Sequence, residues 1–155
     1  MHLDTQFSIF MVNKPGILSQ FLRSLAAAKI NIVAMTMMDS VEHGVMRLVG
    51  DSHEKIRETL DKMNMHYSET QVLCMNLPNK AGAFADVTEK LSKAHINISY
   101  AYCTAGARGG RTTGILKVAD VKKAMKVIEG HTPDINHKTK KKIKKAVRRS
   151  PGTRR

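Results

Sequence analysis

The chain has 155 residues, a hydrophobic fraction of 42 % and a formal net charge of +13, a composition that can build a core and excludes global disorder. No run approaches the ~18 apolar residues of a membrane-spanning helix, and residues 1–6 lack the basic-then-apolar layout of a secretory leader. Two cysteines, Cys74 and Cys103, exclude a disulfide framework and a CxxC metal site, so a reduced cytoplasmic protein with no membrane span is expected.

In chain order, Gln6–Val12 alternates Phe7, Ile9 and Met11 against Gln6 and Ser8, which predicts a strand with one buried face. Asn13-Lys14-Pro15-Gly16 breaks it. Leu18, Phe21, Leu22 and Leu25 then recur at helical spacing and predict a helix over 16–28. Asn31–Met38 reads as a second strand, Ser40–Gly44 as a turn and Val45–Val49 as a third strand. Ser52 is the expected N-cap of a helix with the stripe Ile56, Leu60, Met63. A strand at Tyr67–Val72 runs on toward the next, Val72–Leu77.

The order then recurs. Phe84, Val87, Leu91 and Ala94 mark a helix, and Asn97–Thr104 and Thr113–Val118 are strands around a Gly-rich turn. Asp120 caps a last helix striped by Val121, Ala124, Met125 and Ile128. Residues 131–136 make a poor strand, so the last strand of this second set is absent or supplied from elsewhere.

The recurrence is a repeat at an offset of 66 residues. Asn13-Lys14-Pro15-Gly16-Ile17-Leu18 returns as Asn79-Lys80-Ala81-Gly82-Ala83-Phe84. Leu25, Ala28, Ile30, Asn31 and Ile32 return as Leu91, Ala94, Ile96, Asn97 and Ile98. The expected fold is α+β: two tandem ferredoxin-like βαββαβ units over residues 5–71 and 72–136, followed by a basic tail, 137–155. Two helices cover one sheet face of such a unit, and the other face needs a partner, for which the second unit is the nearest candidate.

The strand-to-helix turns carry the chemistry. Gly16 and Gly82 allow a positive φ where a helix begins, and the unbonded N–H groups there, with the helix dipole, suit a carboxylate. Asn13 and Asn79 add an amide that both donates and accepts, matching an amino acid's ammonium and carboxylate. As turn formers, the same residues need no ligand.

The pattern Asn-x-Pro-Gly-x-Leu, a helix, then Ile-Asn-Ile opening a strand resembles the ACT domain over residues ~5–130, with Ala81 replacing the proline in the second unit. The resemblance implies a stand-alone tandem ACT protein. ACT domains are regulatory modules that bind free amino acids at interfaces between two domains, as in aspartate kinase, phosphoglycerate dehydrogenase and the glycine-cleavage-system repressor. It implies a ligand site built from Asn13, Lys14, Gly16, Ile17, Leu18 and Asn31 in unit 1, and from Asn79, Lys80, Gly82, Ala83, Phe84 and Asn97 in unit 2. Asn13 pairs with Asn97 and Asn79 with Asn31 in one closed arrangement, within the chain or in a homodimer. Met11 and Leu77 stand where serine-binding members carry histidine, which points to a less polar ligand side chain. The implied partners are a free amino acid and a regulated enzyme.

The remaining signals are weaker. Seven histidines are scattered without i, i+4 pairing beside a carboxylate, so they read as solvated and no metal site is expected. The two cysteines read as buried free thiols, and the ten methionines mainly as core filling. No acid/base pair or nucleophile motif points to an enzyme, and no cofactor is implied.

The charge divides unevenly. Residues 137–155 hold ten Lys/Arg and no acid, leaving +3 for residues 1–136. Lys140, Lys141, Lys142, Lys144, Lys145, Arg148 and Arg149 offer a non-specific nucleic-acid contact. RNA reading on the sheets, the other use of this topology, lacks aromatics on the third strands, Val45–Val49 and Thr113–Leu116.

Overall fold

The computed structural model describes residues 1–38, 43–104 and 110–130. These form β1 (His2–Val12), α1 (Ile17–Ala27), β2 (Ile32–Met38), β3 (His43–Gly50), α2 (His53–Lys62), β4 (Tyr67–Pro78), α3 (Ala83–Lys93), β5 (Ile98–Cys103), β6 (Arg111–Val118) and α4 (Val121–Ile128). The order strand, helix, strand, strand, helix occurs twice, as the repeat predicts. Residues 131–136 and the basic tail lie outside the described residues.

The strands form one antiparallel sheet in the order β2-β3-β1-β4-β6-β5. One strand is longer than the hydrophobic pattern predicts. β1 begins at His2 rather than Gln6, because His2–Gln6 pairs with Cys74–Thr70 of β4. Leu73 and Cys74 of that stretch pair with β6 on their other side, so the start of β1 occupies the slot a last strand of the second unit would take. β4 is a single strand through residues 71 and 72, ending the first unit and opening the second.

The register has internal two-fold symmetry. β1 meets β3 through Phe7–Val12, and β4 meets β6 through Leu73–Pro78, 66 residues later. The pair His2↔Cys74 maps by the same shift onto Ser68↔Ser8, also a pair. Helix ends repeat too: Lys29 and His95 both take a left-handed φ, of 55° and 56°. The amides after them, Ile30 and Ile96, donate back to the Leu25 and Leu91 carbonyls.

Alternation along the strands sorts side chains onto two faces. On one face, Phe7, Ile9, Met11, Met46 and Leu48 pack with Phe21 and Leu25 of α1 and Ile56 and Leu60 of α2. Leu73, Met75, Leu77 and Leu116 pack with Val87 and Leu91 of α3 and Ala124 and Val127 of α4. Ser52 stands at the N-cap of α2 without the expected side-chain bond, whereas Asp120 accepts from the Lys123 amide at 2.9 Å. Met35, Met37 and Met38 are exposed on the edge strand β2, in contrast to the buried Met11, Met46 and Met75. Cys103 is exposed, against expectation, because its side of β5 faces outward; Cys74 is buried.

The helix-free face is covered by the sheet itself. Ala34 and Val49 of the first half-sheet cluster with Val72, Cys74 and Ile115 of the second. The Arg47 guanidinium of β3 lies 3.5 Å from the ring centre of Tyr100 on β5. Four strand spacings separate β3 from β5, about 19 Å in a flat sheet. The sheet therefore folds over and packs the two units face to face. Gln6, fully buried, is the polar centre of this contact. Its amide nitrogen donates to Tyr100 Oη at 2.8 Å and Ser8 Oγ at 3.2 Å, and its carbonyl accepts from Tyr102 Oη at 3.1 Å.

Because β1 and β4 belong to both units, urea unfolding followed by circular dichroism should show one transition, not two. Tyr102→Phe should lower stability by about 1–3 kcal/mol, the cost of leaving the buried Gln6 carbonyl unpaired. Two separated transitions would show that the units fold independently.

Candidate functional site

The two strand-to-helix loops have the same backbone. Lys14 and Lys80 amides donate to the Val12 and Pro78 carbonyls, both at 2.9 Å. Gly16 and Gly82 have φ of 92° and 86°, and their carbonyls accept from Gln20 and Asp86, both at 2.9 Å. No atom lies within 4 Å of a Cβ built on either glycine. Glycine is required there by its φ, and the space above it is open.

The side chains around the loops differ. In the first unit, residues 11–18 together with Met37 of β2 enclose a cleft of about 400 Å³. Its walls are Met11, Val12, Pro15, Ile17, Leu18 and Met37, with Asn13 and Lys14 as its polar members. Five predicted residues, Asn13, Lys14, Gly16, Ile17 and Leu18, thus share one concave surface at the start of α1. Met37 closes it by folding its methyl over Gly44, where a Cβ would stand only 2.8 Å away. The sequence reading missed Met37 in this role, because its methionines read mainly as core filling.

In the second unit, Phe84 replaces Leu18 and its ring packs over Gly114, 2.8 Å from the Cβ that glycine lacks. Gly110 accepts the Asn79 amide at 2.9 Å. Lys80 and Gly82 are exposed and Ala83 is buried.

The other two asparagines lie apart from the loops of their own units. Asn31 is exposed, and its backbone is tied to Asp51: its amide donates to Asp51 Oδ1 at 3.0 Å and its carbonyl accepts the Asp51 amide at 3.1 Å. Asn97 lines an open groove of about 640 Å³ with Thr88, Ser92 and His95 along α3. Strand directions put Asn97 at the same end of the sheet as Asn13, and Asn31 at the same end as Asn79. The first-loop cleft is lined by first-unit residues alone and the Asn97 groove by second-unit residues alone.

The titratable groups carry no catalytic arrangement among the described residues. Burial, then the charge of Asp4, pushes the Cys74 thiol up to about 12, so it is protonated at neutral pH and a poor nucleophile. Burial, then neighbouring Tyr100, raises the Tyr102 phenol. Lys93 hydrogen-bonds Glu89 and lowers its carboxyl. Of the acidic residues, in which no acid/base pair was expected, Asp39 and Glu42 lie outside the described residues.

The ACT domain pair family matches residues 2–144. The chain belongs to that family. This places it among regulatory, non-catalytic proteins. A protein of Bacteroides thetaiotaomicron shares 26 % identity with it over 82 % of this chain and 87 % of that one, with a TM-score of 0.75. The regulatory subunit of aspartate kinase from Thermus thermophilus, in its ligand-free form, has the same fold at 12 % identity. It covers 83 % of this chain and 93 % of that one, with a TM-score of 0.61. The Thermus flavus regulatory subunit superposes at 0.57 with 14 % identity, over 83 % and 90 % of the two chains. No curated protein matches the sequence. No helix of the described residues is long and apolar enough to cross a membrane.

Gly16→Ala and Gly82→Ala should each cost about 1–2 kcal/mol in urea unfolding, the backbone penalty of a left-handed alanine. Gly114→Ala should destabilise in the same assay although alanine is ordinarily the better strand residue, because the new methyl meets the Phe84 ring.

Proposed function

We propose that this ACT domain pair binds a free, predominantly apolar amino acid in the cleft formed by residues 11–18 and Met37, and transmits its occupancy to a regulated enzyme. The observation that carries the reading is the cleft itself: a concavity large enough for an amino acid, apolar-walled, opening on the first turn of α1. The Leu18 and Ser19 amides precede any i−4 acceptor and are available to a carboxylate. Lys14 adds a positive charge, and Asn13 offers both a donor and an acceptor. The apolar walls, Met11 included, favour a less polar ligand side chain.

In this reading the paired asparagines meet between two copies of the chain, Asn13 of one with Asn97 of the other and Asn79 with Asn31, which makes the functional unit a homodimer. The second loop is the poorer site in this reading, since the bulkier Phe84 stands in the place of Leu18 and packs over Gly114. Ligand shifts the pairing of copies only through a different affinity for the two arrangements. An amino acid of about seven to ten heavy atoms binds at roughly micromolar to millimolar strength.

A thermal-shift screen of the full chain against the twenty amino acids at about 5 mM tests this. A ligand with Kd near 0.5 mM adds about 1.4 kcal/mol at that concentration. One apolar amino acid should raise the melting temperature. Asn13→Ala should abolish the shift and Asn79→Ala should leave most of it. A flat screen would reduce both loops to turns.

A second activity belongs to the ten Lys/Arg of residues 137–155, which suit non-specific nucleic-acid binding. Removal of 137–155 should abolish salt-sensitive binding to DNA or RNA and leave amino-acid binding intact. Salt-sensitive binding by residues 1–136 would overturn that division.

A further inference from the structure

The pairing of β1 with β4 assembles a cluster of side chains far apart in sequence and remote from the loop cleft. His2 stands directly across from Cys74. A ring nitrogen of His2, a carboxylate oxygen of Asp4 and Cys74 Sγ all lie within 4.8 Å of one another. We propose that His2, Asp4 and Cys74 form a binding site for a borderline-soft divalent transition-metal cation of the zinc or cobalt class.

The donor set decides the class of ion. An imidazole, a thiolate and one carboxylate match zinc and its neighbours, and a sulfur donor disfavours magnesium and calcium. Metal–ligand bonds of about 2.0–2.3 Å place neighbouring donors roughly 3.3–3.8 Å apart. The present spacing, within 4.8 Å, has to contract by about 1 Å on binding, and the thiol gives its proton to solvent. A water completes the fourth position.

The surroundings of Asp4 fit this role. Its Oδ1 is held by the Thr5 amide at 2.8 Å and by His53 Nε2 at 2.6 Å. Its Oδ2 makes only a long contact, 3.4 Å to His2 Nε2. One carboxylate oxygen is thus fixed by hydrogen bonds while the other lies toward His2, the arrangement by which outer partners orient a ligating carboxylate. Accessibility is graded: Cys74 is buried, the Asp4 side chain is 13 % exposed and the His2 side chain 65 %. An ion enters past His2.

The duplication supplies an internal control. Under the 66-residue shift, His2, Asp4 and Cys74 correspond to Ser68, Thr70 and Ser8, on the same strands in the same register. A metal-ligating set stands at one of two equivalent places, so the scaffold does not impose it.

The test is a titration of the reduced full chain with cobalt(II), read by the near-ultraviolet thiolate-to-cobalt charge-transfer band and by melting temperature, and repeated with zinc. The band should form in the wild type and in Cys103→Ser, and disappear in Cys74→Ser. His2→Ala alters an exposed side chain and leaves the fold intact, and should weaken cobalt binding at least tenfold. His53→Gln should weaken it about 10–100-fold. Overturning results are the absence of a band at saturating cobalt, a band that survives Cys74→Ser, or unchanged affinity in His2→Ala.

Discussion

The antiparallel pairing of β1 with β4 holds the molecule together. Each strand is longer than a single unit requires, and each lends its spare length to the other unit. Once His2–Ile9 lies along Tyr67–Cys74, the second unit has its missing edge and both helix layers fall on one side of a continuous sheet. The other side is left with an apolar strip and no helix to cover it. A strongly twisted sheet relieves this by folding over, which brings β3 against β5.

That closure places polar groups where they must be satisfied. Gln6 is carried inside with Tyr100 and Tyr102, and three hydrogen bonds meet its amide. A buried network of this kind is sensitive to geometry, since any sliding of one half-sheet over the other breaks several bonds at once. The closed face also removes the surface on which a four-stranded unit would read RNA. The chain's exposed chemistry is therefore at the ends of the sheet, where the loops and helix starts lie.

Much of this was legible in the residues. Alternation at Phe7, Ile9 and Met11, helical spacing at Phe21 and Leu25, and the 66-residue echo of Asn-Lys-x-Gly were enough for the double unit and its loops. What escaped were features set by contacts between distant segments. The start of β1 reads as polar because His2, Asp4 and Thr5 break the alternation, and only β4 explains why it is a strand. The difference between the loops was written as Leu18 against Phe84, but its meaning depends on Gly114 lying beneath the aromatic ring. The neighbourhood of His2 and Cys74 was invisible for the same reason, because local spacing says nothing about cross-strand register.

The register of β1 against β4 has one more consequence. A pairing that maps onto itself under a 66-residue shift is the pairing of an isologous dimer, with the two subunits joined in one polypeptide. A half-length ancestor would have built this sheet from two identical chains, at the mercy of their concentration. Fusion replaces that with a fixed effective concentration and ends the requirement that both halves be alike. The two halves can then diverge: one loop carries Leu18 where the other carries Phe84 packed over Gly114, and His2 and Cys74 face each other on one side of the axis where Ser68 and Ser8 do on the other.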